Sequence, residues 1–234
     1  MATKLPDQRG AGDVQAFLQR MAATPKAVRS GRGRLLFAMD ATASRRPTWD
    51  RAAQIQTEMF TEAALHGSLE IQLCFFRGFG ECRASSWIAE PGVLAQRMAS
   101  VQCVAGHTQI AKVLSHAIDE TKAQKIDAMA YVGDCCEEDV DRLGALAGEL
   151  GLLGVPVFLF QEGHDPAARF AYGQIAKLTR GAHLAFDAAS PQALRDLLKA
   201  VAAFAAGGRP ALQDFARRAG GDVPLLARQI GPGT

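Results

Sequence analysis

Short unbroken apolar blocks alternate along the chain with stretches in which apolar residues recur every three or four positions. "RLLFAMD" (34–40) is of the first kind, the signature of a strand buried on both faces. Over 48–66, Ala52, Ile55, Met59 and Ala63 then share one helical face. "LEIQLCFF" (69–76) and "ECRASSWI" (81–88) predict strands, joined by an "RGFG" short enough for a hairpin. A helix is expected near 91–102. Another follows Gly106, with Ile110, Val113, Leu114, Ala117 and Ile118 on one side. "DAMAYVG" (127–133) repeats the buried-strand block. Val140, Leu143, Ala147 and Leu150 mark a further helix, with Gly151 placed to end it. "VPVFLF" (155–160) is a strand, "PAARFAYGQIAKLTRG" a helix closed by Gly181, and "HLAFD" (183–187) the last strand. Ser190-Pro191 open a long final helix with a cap residue and a proline at its first position.

Six strands with helical crossovers imply an α/β fold of three layers. The sheet is doubly wound and mostly parallel, and the hairpin gives it one antiparallel edge strand. This domain is expected over residues 34–206. Residues 1–33 read as an N-terminal extension with a short helix over 13–23, where Val14, Phe17, Leu18 and Met21 share a side. Residues 207–234, punctuated by Gly and Pro, read as a partly ordered tail. No internal repeat is present.

Composition adds limits. Of 234 residues, 48% are hydrophobic and 21% charged, an ordinary globular balance. The net charge of +2 gives no general attraction to nucleic acid or membrane. Residues 1–34 hold seven Lys/Arg against two Asp, but without interleaved aromatics they read as a solvated arm rather than an RNA-binding one. No stretch approaches the roughly 20 apolar residues that span a bilayer. The first residues lack the apolar core of a signal peptide, and five cysteines form no Cys-x-x-Cys pair. A cytoplasmic protein with free thiols is expected. Adjacent Cys135 and Cys136 would form only a strained disulfide.

The candidate chemistry sits at the strand ends. The first strand stops at Asp40, and Thr42 and Ser44 follow at alternate positions; in extended backbone all three point one way. Asp134 ends "AMAYVG" in the same manner. Thr108 lies at a loop-to-helix junction before that strand. In open α/β sheets, ligands bind beyond the carboxyl ends of strands where the strand order reverses, so these residues can face one crevice. Two carboxylates and three hydroxyls are hard oxygen donors, suited to Mg²⁺ or Mn²⁺ and poorly to zinc. Two carboxylates leave such a centre near neutral, so an acidic side chain from a partner protein can complete it.

Asp40-x-Thr42-x-Ser44, then Thr108, then Asp134 resembles the metal-ion-dependent adhesion site (MIDAS) of von Willebrand factor A (VWA) domains, integrin I domains included. The family pattern is Asp-x-Ser-x-Ser after the first strand, a Thr in a Gly-Gly-Thr-like loop, and a Thr-Asp-Gly ending strand 4. The late "QIAKLTRGAHLAF" is similar to the family's Ala-x-x-x-Gly-Gly-then-aromatic ending. In this chain Thr42 replaces Ser, His107 replaces the second Gly, and Gly133-Asp134-Cys135 stands for Thr-Asp-Gly. The resemblance implies a non-catalytic adaptor or assembly factor that binds a partner protein through Mg²⁺ held by Asp40, Thr42, Ser44, Thr108 and Asp134.

A rival reading is a haloacid-dehalogenase-like phosphatase. There Asp40 is the nucleophile, Asp134 and Asp139 hold Mg²⁺, and Lys125 or Lys112 steadies the intermediate. That family carries an acidic residue where this chain has Thr42. Glycine-rich nucleotide-binding motifs are absent from the sequence. Ser115-His116 lies mid-helix and His107 reads as an exposed loop residue.

Overall fold

The computed structural model describes residues 32–186 and 191–218, together with Ala16. The apolar blocks form β1 (Gly33–Asp40), β2 (Leu69–Arg77), β3 (Glu81–Ala84), β4 (Ala128–Gly133), β5 (Val157–Glu162) and β6 (Ala182–Phe186). They make one six-stranded sheet in the order β3-β2-β1-β4-β5-β6. Among these strands, only β2 and β3 pair antiparallel, at the edge.

Between the strands run α1 (Arg46–Ala64), α2 (Pro91–Ala99), α3 (Ile110–Ala123), α4 (Val140–Leu152) and α5 (Pro166–Leu178), with α6 (Pro191–Arg218) last. Side-chain alternation along β1 divides its residues between two cores. Leu35, Phe37 and Met39 pack with Trp49 and Met59 of α1 and Leu197 and Phe204 of α6. Leu36 and Ala38 face Val113, Leu143 and Tyr172 of α3, α4 and α5. Helices therefore cover both faces, which is why the central strands carry near-continuous apolar runs rather than alternating ones. The expected doubly wound, three-layer architecture is the one observed.

Local details differ from expectation. β3 ends at Ala84 rather than running to 88, because the Ser85 hydroxyl accepts the Leu73 N–H at 3.1 Å and displaces the strand ladder. Pairing resumes only as an isolated bridge between Ile71 and Ile88. Gly151 lies inside α4, its missing Cβ making room for the Leu178 carbonyl; the left-handed residue after that helix is Gly154, at φ 71°. α5 ends at Leu178, and Arg180 rather than Gly181 takes the positive φ. Past residue 206, α6 bends at Gly208 and continues through Pro210 to Arg218, with Ala211, Leu212 and Phe215 buried. Of the helix expected over 13–23, only Ala16 is described, and it is helical. The Ser190 cap and residues 219–234 lie outside the described residues.

Candidate metal centre

Strand order reverses at β1, which has β2 on one side and β4 on the other. The β1–β4 register runs to Met39 opposite Val132. Asp40 and Asp134 thus leave adjacent parallel strands at one level, as the sequence suggested. Their carboxylate oxygens and the Cys135 sulfur all lie within 4.8 Å of one another.

The chain turns sharply after β1. Asp40 Oδ1 accepts the Thr42 N–H at 2.7 Å, and a short 3-10 turn over Ala43–Arg45 then leads into α1. Asp40 ends the strand and Thr42 is extended, at φ −72° and ψ 164°, but Ser44 lies in the 3-10 turn, so the segment is not extended throughout as expected. The tight turn after Thr42 still brings the hydroxyls of Thr42 and Ser44 to 3.3 Å. Ser44 in turn donates to Asp134 Oδ2 at 3.3 Å. Asp40, Thr42, Ser44 and Asp134 are therefore one connected group of oxygens.

Thr108 joins the group indirectly. Its hydroxyl accepts the Glu137 N–H at 3.1 Å, and its own N–H donates to Glu137 Oε2 at 3.2 Å, which ties its loop to the segment after Asp134. Thr108 does not cap α3. The first N–H groups of that helix, from Ile110 and Ala111, are taken by the Glu138 carboxylate, with the Ala111 bond at 2.9 Å. Gly106 lets the loop lie against the β2–β3 turn, since a Cβ there would meet the Gly78 oxygen at 2.0 Å. His107 is exposed and pairs with Glu137 at 3.0 Å.

Electrostatics single out Asp40 and Asp134. Asp40 is 1% exposed, yet its Oδ2 has no hydrogen-bond partner among the described residues; neither does the buried Oδ1 of Asp134. Burying a carboxylate oxygen without a partner is costly. Burial accordingly pushes the Asp40 carboxyl up to about 6, with the Asp134 charge adding to it, while the Thr42 bonds and the Arg45 charge oppose the rise. A divalent cation between the two carboxylates supplies the missing partner for both orphaned oxygens, so the residues present fit such an ion.

Arg45 and Glu162 were not legible in the sequence as parts of this site. The Arg45 side chain is 2% exposed; it lies 2.5 Å from Glu162 Oε2, without hydrogen-bond alignment, and 3.8 Å from Asp134 Oδ2. Glu162 ends β5 and also accepts from the Thr48 hydroxyl. Arg45 offsets Glu162, leaving the two aspartates as the charge available to an ion. Cys135 was missed as well, although it directly follows Asp134. Burial first, then the Asp134 charge, pushes its thiol up to about 12. Gly133, where the VWA pattern has Thr, has its side-chain space filled by two buried tyrosines. A Cβ would lie 2.7 Å from the Tyr131 hydroxyl and 2.9 Å from that of Tyr172.

No protein-family model and no curated protein sequence matches the chain. Solved structures do match it. The VWA domain of SpRpn10 superposes with a TM-score of 0.56 and 14% identity, over 72% of this chain and 94% of that one. A von Willebrand factor type A protein from Catenulispora acidiphila gives a TM-score of 0.59 and 14% identity, over 76% of this chain and 43% of that one. The chain has the VWA fold. A third VWA-type structure carries metal: proximal thread matrix protein 1 from the mussel byssus, with a zinc-occupied MIDAS motif. It matches with a TM-score of 0.56 and 12% identity, over 74% of this chain and 46% of that one. This chain thus spans less than half of the last two structures. Within the VWA fold the group around Asp40 and Asp134 occupies the switch-point end of the sheet.

Proposed function

We propose that this chain is an intracellular VWA-domain protein that captures a partner protein through a divalent cation, without catalysing a reaction. Asp40, Thr42, Ser44, Thr108 and Asp134 hold the ion, directly or through water, and their oxygens suit Mg²⁺ or Mn²⁺. An acidic side chain of the partner completes the coordination. The observation that carries this reading is a pair of buried carboxylate oxygens, without partners among the described residues, at the ends of adjacent central strands. A partner's carboxylate is a fitting last ligand because Arg45 already offsets Glu162, so the ion and two aspartates present no surplus negative charge. No helix among the described residues is long and apolar enough to cross a membrane.

Three placements speak against the phosphatase reading. Asp139, its second metal ligand, caps α4 by accepting the Arg142 N–H at 2.7 Å. Lys125 lies just past the far end of α3, roughly 20 Å of helix from the Thr108 loop. Lys112 is held by the Gly80 carbonyl at 2.7 Å and by Gln109.

Affinity capture from cell extract is the test. Partner recovery should collapse in EDTA, return with added Mg²⁺, and fail in Asp134→Ala. The same protein with Mg²⁺ should hydrolyse no generic phosphomonoester. Recovery indifferent to EDTA sinks the proposal, and turnover abolished by Asp40→Asn would put the enzyme in its place.

A further inference from the structure

We propose that Cys135 adds a sulfur ligand to this centre, so that it takes thiophilic divalent ions of the zinc class in preference to Mg²⁺. The inference rests on the cation-binding reading above and deepens it. Cys135 stands where the VWA pattern has glycine, which offers no side chain. Its Sγ lies within 4.8 Å of carboxylate oxygens of both Asp40 and Asp134. At the tetrahedral angle, Zn–S and Zn–O bonds of about 2.3 and 2.1 Å place sulfur and oxygen roughly 3.6 Å apart, so side-chain rotations that move these atoms by about an ångström close the set.

Three features make sulfur ligation more than proximity. Asp40 is 1% exposed with Oδ2 unpartnered, so a buried acceptor already awaits a cation beside the sulfur. The backbone at Cys135 is anchored, its carbonyl accepting the Tyr172 hydroxyl at 2.8 Å. That bond fixes the residue from which the sulfur projects. Finally, a set of two carboxylates and one thiolate with a position left for water or a partner is a donor set zinc accepts. Magnesium gains nothing from the sulfur. On binding, the thiol proton leaves to solvent and the sulfur binds as thiolate.

Cobalt(II) is the probe, because a thiolate bound to it gives an intense near-ultraviolet charge-transfer band. Full-length protein titrated with Co²⁺ should develop this band, saturating at one ion per chain, and excess Zn²⁺ should bleach it. Cys135→Ser should lose the band. Its preference for Co²⁺ over Mn²⁺ should narrow by at least the roughly 10–100-fold that loss of an outer-shell partner costs a metal site. Cys136→Ser should keep the band. Co²⁺ binding without the band in the wild type, or a band that survives Cys135→Ser, overturns the sulfur ligand and leaves the cation site standing. Absence of both Co²⁺ and Mn²⁺ binding in the wild type overturns the two together.

Discussion

Replacing Arg45 by alanine should destabilise the metal-free protein by about 3–5 kcal/mol, the usual cost of removing one partner from a buried ion pair. Arg45 is the cation that Glu162 faces at 2.5 Å, and both side chains are largely buried. Without it, Glu162 keeps only the Thr48 hydroxyl and Asp134 loses its nearest cation. For a domain of this size the loss corresponds to a fall in melting temperature of roughly 6–20 °C. Arg45→Met combined with Glu162→Gln should recover most of it, because the double change removes both charges and fills the volume. Thermal melts in EDTA of Arg45→Met, Glu162→Gln and the double variant measure the coupling. Equal melting temperatures for wild type and Arg45→Ala would show that the pair is incidental.

Asp40→Asn should act in the opposite direction on the metal-free fold. The Asp40 carboxyl rises from 3.8 to about 6 in the folded protein, chiefly through burial. A group raised in this way contributes its stability fully below the unfolded value and loses it as pH climbs through the folded one. The wild type therefore carries a penalty that grows between about pH 4 and pH 6, reaching about 2–3 kcal/mol at most. Asparagine keeps an oxygen for the Thr42 N–H and carries no charge. In EDTA the variant should match the wild type near pH 4 and melt roughly 4–12 °C higher at pH 7. Added Mg²⁺ should reverse the order, since only the wild type gains an ion. A melting difference that does not change with pH would contradict this account of Asp40.

Asp40 and Arg45 differ in how far the sequence reveals their roles. Asp40 and Asp134 were legible because each interrupts an apolar strand block, and strands of that kind in a doubly wound sheet end at the ligand-binding edge. Thr42 and Ser44 were legible by spacing, though for the wrong geometric reason: a 3-10 turn brings the hydroxyls together. Thr108 was placed correctly in its loop, but its bond to Glu137 depends on how two loops meet. Arg45 and Glu162 are 117 residues apart and meet only because β5 lies next to β4. No periodicity carries that fact. The same holds for the end of the fold, where Gly208 and Pro210 read as a stop. Burial of Phe215 and the Arg218–Glu62 ion pair nevertheless carry the helix onward.

The proposed function requires Asp40 and Asp134 to bind one divalent cation jointly. Mn²⁺ titration of the full-length protein, followed by the loss of free Mn²⁺ signal in electron paramagnetic resonance, tests it without knowledge of the partner. The wild type should show one site per chain, lost in both Asp40→Asn and Asp134→Ala while the variants stay folded by circular dichroism. Mn²⁺ binding of equal strength in the wild type and the two variants, or none in any of them, would contradict it.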